Sequence, residues 1–154
     1  MRIAIAADHN GLALKAHLRA WLTDHGHQVD DRGIHDAETV DYPPLCADVC
    51  RQVVDGHADR GIILGGTGSG EQIACNKIPG IRAGLCHCLF TTEIARAHND
   101  TNVLVIGAKI VAPGLAELIT EKWLTTPFKG GRHQRRLEQI TALERGEALP
   151  TTRS

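Results

Sequence analysis

The chain lacks any apolar run approaching the roughly 18 residues of a membrane span, and Met1-Arg2 leads straight into an alternating pattern with no basic-then-apolar leader. Neither a membrane anchor nor a secretory signal is expected, and a cytoplasmic location is the default. It also lacks net charge of either sign: 17 Lys and Arg against 18 Asp and Glu leave −1. That removes a global electrostatic case for nucleic acid, so any phosphate site must be local. There is no Cys-x-x-Cys pair, and the five cysteines (46, 50, 75, 86, 88) are an odd number. A disulfide framework is therefore not expected, and the thiols read as reduced. Cys86-His87-Cys88 resembles a metal corner, but on a strand residues 86 and 88 would face one way and His87 the other. Small core filler is the plainer reading, and no metal is expected. No internal repeat or low-complexity stretch is present.

What the chain does have is a mid-chain stretch, Gly61-Ile-Ile-Leu-Gly-Gly-Thr-Gly-Ser-Gly-Glu-Gln, that joins an apolar run to a glycine loop and then to a polar helix start. Ile62, Ile63 and Leu64 suit a strand buried on both faces of a parallel sheet. The glycines at 65, 66, 68 and 70 then remove side chains where several N–H groups could turn inward together. Such a nest of amides at a helix N-terminus binds anions, or stabilises an oxyanion that forms during a reaction. Familiar glycine loops do not fit. A P-loop needs Lys and then Ser or Thr after its last glycine, where this chain has Glu71 and Gln72; a dinucleotide fingerprint wants glycine where Glu71 stands; a G-x-S-x-G elbow would need glycines at Thr67 and Glu71. What remains is an anion-friendly loop with one carboxylate at its rim, or else a tight strand-to-helix turn with a solvated glutamate.

Taken in order, residues 2–7 form a short Ile/Ala strand, broken by Asp8-His9-Asn10-Gly11 at what would be the carboxyl edge of the sheet, where open α/β folds bind ligands. Leu14, Leu18, Trp21 and Leu22 give a helix with one apolar stripe that ends near Gly26. Residues 28–31 read as a second strand, and 33–44 as a polar loop closing on Asp41-Tyr42-Pro43-Pro44 before a helix over about 45–54. After the glycine loop, Pro79-Gly80 ends a short helix; 82–86 and 103–106 are strands around a helix at 91–98 that Asn99-Asp100 terminates. Pro113 opens another helix, with Leu115, Leu118, Ile119 and Trp123 as its expected buried face. Five strands alternating with helices imply an α/β fold, a parallel sheet covered on both sides in one domain over 1–148, with a loose end at 149–154.

Residues 132–144 depart from that alternation. They are helical and heavily charged, with Arg132 and Arg136 one turn apart and a narrow apolar edge at Leu137 and Ile140. A helix with so little to bury needs something to pack on, and a second subunit is one candidate. The arginines read either as a solvated face or as paired guanidiniums that grip a phosphate.

With Asp8-His9, the glycine loop, His98-Asn99-Asp100 and Arg132-His133-Gln134-Arg135-Arg136 all in view, the chain from Met1 to about Glu144 resembles the ribose-5-phosphate isomerase B family, which includes the galactose-6-phosphate isomerase subunits and related aldose–ketose isomerases. The resemblance implies a three-layer α/β/α Rossmann-like domain in a homodimer or homotetramer, with active sites built between subunits and no cofactor. It implies that His9, Arg132 and Arg136 hold a substrate phosphate and that Asp8 binds sugar hydroxyls. The amides of Gly66, Thr67, Gly68, Ser69 and Gly70 would form the anion hole, with the Thr67 hydroxyl beside them. His98 would be the acid that opens the furanose ring, and Asn99 would bind a nearby substrate oxygen. Many relatives carry a catalytic cysteine just before the glycine loop; this chain has Gly65 there and matches a branch, typified by actinobacterial enzymes, that uses the glutamate found here as Glu71. Lys109 stands where the family has arginine, keeping the charge and losing the fork.

The chemistry itself asks for these residue types. Aldose–ketose exchange moves a proton between adjacent carbons through an enediolate, which one carboxylate can serve while fixed donors hold the developing oxyanion. A histidine suits ring opening because small shifts move its charge across neutral pH, although at a helix C-terminus His98 could equally be there for the dipole. Ribose 5-phosphate and ribulose 5-phosphate are the first pair to expect. Alternatives are erythrose or erythrulose 4-phosphate, allose 6-phosphate or galactose 6-phosphate, and, in another class, a sugar-phosphate-binding protein without catalysis.

Overall fold

The computed structural model describes residues 1–36 and 38–149. Eleven elements follow one another: β1 (Arg2–Ala7), α1 (Leu12–Asp24), β2 (Gln28–Asp31), α2 (Tyr42–Val54), β3 (Arg60–Gly65), α3 (Ser69–Cys75), β4 (Ala83–Leu85), α4 (Leu89–Ala97), β5 (Val103–Gly107), α5 (Pro113–Thr125) and α6 (Arg132–Glu144). The strands pair in parallel in the order β2-β1-β3-β5-β4. Apart from Leu149, the loose end expected at 149–154 lies outside the described residues.

The period of two along each central strand divides the core between two layers. Ile3, Ile5, Ile62, Leu64, Leu104 and Ile106 face Leu14, Leu18 and Leu22 of α1 and Ala116, Ile119 and Trp123 of α5. Ala4, Ala6, Ile63, Val103 and Val105 face Cys46, Val49 and Cys50 of α2 and Cys75 of α3. Both faces are apolar because both are covered, which is why these strands read as continuous hydrophobic runs rather than alternating ones.

Three expectations need correction. The second helix begins at Tyr42, not near 45: Asp41 is its N-cap and the prolines fall in its first turn, where a missing N–H costs nothing. On α5 the buried stripe is Ala116, Ile119, Thr120 and Trp123, whereas Leu115 and Leu118 are 36% and 51% exposed. Trp123 sets the phase: it is fully buried, its Nε1 donates to Thr101 Oγ1 at 2.8 Å, and the Arg96 guanidinium lies 5.8 Å from its ring centre. The fourth strand stops at Leu85, so Cys86 and Cys88 do not share a strand face; Cys86 is buried and Cys88 is the exposed N-cap of α4.

The sheet order places the site. The connection leaving β1 runs to β2 on one side, and the connection leaving β3 runs toward β4 on the other. Between the carboxyl ends of β1 and β3 the chain therefore opens a crevice, the position where such sheets take their ligands.

Candidate active site

Asp8 leaves β1 at that crevice, its N–H donating to Leu64 O on β3 at 3.2 Å. Its carboxylate is buried and ordered: Oδ1 accepts the N–H groups of Asn10 (2.9 Å) and Gly11 (3.2 Å), and Oδ2 accepts Asn10 Nδ2 (2.9 Å). The same Nδ2 lies 3.1 Å from His9 Nε2, while His9 Nδ1 is buried without a hydrogen bond, 3.9 Å from Asp8 Oδ2. Because a carboxylate only accepts, the amide of Asn10 must present its NH₂ to Asp8 and so donates to His9 as well.

The glycine loop leaves β3 alongside. The carbonyls of Gly65 and Gly66 are tied down by Ala108 N (2.7 Å) and Lys109 N (3.0 Å), which anchors the loop to the turn after β5. Gly68 caps α3 at φ +81, and a Cβ there would press on Leu85 and Val105, so both conformation and space require glycine. Among the described residues no backbone hydrogen bond engages the N–H groups of Thr67, Gly68 or Gly70, and Ser69 N reaches only the Thr67 hydroxyl at 3.4 Å. Amides left free at a helix start can form a cradle for negative charge.

Glu71 follows on α3 and is not a solvated rim residue. It is 4% exposed, and its carboxylate folds back to occupy the space that a side chain on Gly65 would fill. Burial raises its pKa above the ordinary carboxylate value; a hydrogen bond from its own N–H opposes this, and the nearby Asp8 charge adds to it.

A second group forms where α4 meets α6. His98, the C-cap of α4, stacks on His133 with ring centres 3.9 Å apart and 14° between planes. Loss of solvent around the stacked ring, then His98, Arg136 and Arg132, lower the pKa of His133, so these side chains share one electropositive patch. Asn99 borders the groove between α6 and the body of the chain, and Lys109 is exposed at the turn that ties down Gly66. Asp8, His9, the loop 66–70 and Glu71 are thus assembled in one group, and His98 with Arg132 and Arg136 in another. Among the described residues, no hydrogen bond, ion pair or ring stack links the two groups.

The model of the family described as Ribose/Galactose Isomerase matches residues 3–140. The chain belongs to this family. It is 43% identical over 143 residues to the ribose-5-phosphate isomerase B of Escherichia coli, covering 93% of this chain and 96% of that one. It is 39% identical over 153 residues to the ribose-5-phosphate isomerase B of Mycolicibacterium paratuberculosis, covering 97% and 96%. The solved structure of Clostridium thermocellum ribose-5-phosphate isomerase B matches with a TM-score of 0.94 at 42% identity, over 95% of this chain and 99% of that one. The chain is an isomerase with the α/β fold of these structures.

In this isomerase Cys75, one helical turn beyond Glu71, lies in a buried cluster with Cys46 and Cys50. Hydrogen bonding to Cys46 and Cys50, together with burial, drives its pKa up, so it stays a protonated thiol and packs rather than reacts. Cys86 is likewise pushed up, to about 11, by burial. Among the described residues no group of three or more His, Cys, Asp or Glu side chains is placed to hold a metal ion.

Three neighbours of the loop escaped the sequence reading. Asn10 joins Asp8 to His9; His87 Nε2 accepts from Gly107 N at 3.1 Å; and the Tyr42 phenol rests on Gly70, where any Cβ would strike its hydroxyl. Asn10 could have been suspected from its place after Asp8-His9. Tyr42 and His87 reach the loop from distant segments, and no local pattern marks them.

Proposed function

We propose that this isomerase interconverts ribose 5-phosphate and ribulose 5-phosphate, with Glu71 as the base. The observation that carries this reading is the Glu71 carboxylate, buried against Gly65 at the mouth of the amide cradle and raised in pKa by that burial. A carboxylate so placed is tuned toward the pH at which it must both take and return a proton. The relatives named ribose-5-phosphate isomerase B support the choice of substrate.

The steps follow. In the furanose, the C1–O4 bond breaks and its electron pair leaves with O4, which takes a proton from His98; as C1=O1 forms, O1 gives its proton to solvent water, from which His98 is reprotonated. Glu71 then removes the C2 proton, and the electron pair moves through C1=C2 onto O1, giving an enediolate oxygen that the amides of Gly66 to Gly70 and the Thr67 hydroxyl stabilise. One such donor is worth about 2.7–4 kcal/mol in the transition state. A proton passes from O2 to O1, and Glu71 returns its proton to C1. Asp8 and Asn99 hold hydroxyls, while His9, Arg132, Arg136 and Lys109 take the phosphate.

Asp8 and Glu71 form one group and His98 and Arg132 another, and in this reading two copies of the chain bring them together, each completing the other's site. The face of α6 supports this. Leu137 alone on that helix is buried, and Ile140 and Leu143, 47% and 58% exposed, line a groove of about 650 Å³ with Ile81, Leu85 and Ile94. A homodimer is the smallest assembly that covers it. No helix of the described residues is long and apolar enough to cross a membrane, and five unpaired thiols are in keeping with work in the cytoplasm.

The deciding experiment follows ribose 5-phosphate in heavy water by NMR, with Glu71→Gln alongside. Ketose formation with deuterium entering at the exchanged carbon is expected for the wild type. A loss of about 10²–10⁴-fold is expected for the variant, with substrate binding retained. Turnover within a few fold of wild type in Glu71→Gln would remove Glu71 as the base. An inactive wild type would send the same exchange test to tetrose and hexose phosphates.

A further inference from the structure

The turn after α4 carries the only non-glycine residue among the described ones with a positive φ, Asp100 at +43°. L-residues avoid this region, and a strained residue persists where its surroundings over-determine it. Here the surroundings are two arginines. Arg96 Nη1 donates to Asp100 Oδ1 at 2.7 Å and to Thr101 O at 2.7 Å. Arg82 Nη2 donates to Asp100 Oδ2 at 3.0 Å and to Asp100 O at 2.9 Å, and its Nε lies 3.0 Å from Asn99 O and 3.1 Å from Asp100 O. Arg96 is in turn 6% exposed and lies against Trp123, whose Nε1 holds Thr101. Both carboxylate oxygens and three successive carbonyls, those of Asn99, Asp100 and Thr101, are thus bound to side chains rooted in β4's approach and in the core. His98 and Asn99 sit directly before this knot, at the end of α4, with the His98 ring stacked on His133 of α6.

We propose that Asp100, gripped between Arg82 and Arg96, is a positioning residue that holds the His98 ring at the angle needed for ring opening. A helix end would otherwise fray, and an acid carried on it would lose its aim. Asp100 touches no reacting atom in this scheme; it acts through His98. The proposal rests on the reading of His98 as the ring-opening acid, and its test separates the two.

Asp100→Gly and Asp100→Asn both tolerate the left-handed backbone, so a loss in either reports the missing carboxylate rather than new strain. Ribose 5-phosphate must open its ring before C2 can be deprotonated. Ribulose 5-phosphate cannot close a furanose, because the oxygen it would use carries the phosphate, and its C1 protons exchange with heavy water without any ring step. In Asp100→Gly, kcat on ribose 5-phosphate is expected to fall on the order of 10²-fold with KM changed by less than about threefold, while C1 exchange on ribulose 5-phosphate stays within about threefold of wild type. Asp100→Asn, which keeps one acceptor, should fall between. A general loosening of the fold would lower both rates together, and that result, or an unchanged kcat on the aldose, overturns the proposal. The aim of the ring is read without substrate from histidine NMR: the upfield shifts that His98 and His133 give each other in their stack should collapse together in Asp100→Gly while the remaining histidines hold their shifts. If the wild type isomerises no pentose phosphate, the functional reading fails, and this shift alone decides whether Asp100 positions His98; an unmoved His98 signal refutes it.

Discussion

At the scale of single residues, Gly65 and Glu71 are one unit although six positions separate them. Any side chain at 65 would compete with the Glu71 carboxylate for the same space. Gly65→Ala should therefore displace the proposed base and cost on the order of 10²-fold in kcat, since a misplacement near 1 Å is worth about that much. In the double variant with Glu71→Gln, the second change should add little, because both act on the same group; kinetic additivity would show that Gly65 matters for another reason. Glu71 also opposes stability at neutral pH. Its folded pKa is raised, so the native state binds more protons than the unfolded one between the ordinary value of 4.5 and the folded value, and stability declines as pH rises through that window. Glu71→Gln should melt higher than the wild type at pH 8, at about 2–4 °C per kcal/mol recovered, and the gap should close below pH 4.5. That Glu71 was a candidate base was legible from its place behind four glycines. That it turns back beneath Gly65 was not, because the fold of the loop, not the residue type, aims it.

At the scale of elements, α5 shows where periodicity runs short. Leu115, Leu118, Ile119 and Trp123 satisfy a helical spacing, and so do Ala116, Ile119, Thr120 and Trp123. Composition favours the first set; the Trp123 indole, bonded to Thr101 and packed by Arg96, selects the second. Ile119→Ala should cost about 2–5 kcal/mol in denaturant unfolding as a core truncation, and Leu118→Ser should stay within about 0.5 kcal/mol. A large loss at Leu118 would mean that a partner covers it. The start of α2 was misjudged for a different reason. Two consecutive prolines read as loop, yet the first turn of a helix is where they fit without losing a hydrogen bond.

At the scale of the molecule, α6 poses the question of assembly. It buries Leu137 and leaves Ile140 and Leu143 on an open groove, with Arg132 and Arg136 exposed at its start. If a second copy fills that groove, Ile140→Glu should shift sedimentation toward the monomer and make specific activity fall on dilution, with the helical circular dichroism unchanged. Full activity from a demonstrated monomer would refute a site shared between copies.

Sequence by itself determined the alternation of strands and helices, the glycine loop and its acid, and the motifs of a family, because each of these is written in residues close together along the chain. Tertiary structure decided the rest. Strand order placed Asp8 beside the loop at the divergence of β1 and β3, and the packing of α3 buried Glu71 against Gly65. The same packing sealed Cys75 among other thiols, and the end of α4, with Arg96 set against Trp123, locked Asp100 between Arg82 and Arg96. Asp8 with the loop, Cys75 with Cys46 and Cys50, and Arg82 with Asp100 join segments far apart in sequence that only the packed sheet brings together, while Glu71 with Gly65 and Arg96 with Asp100 are near in the chain and aimed by the turns between them.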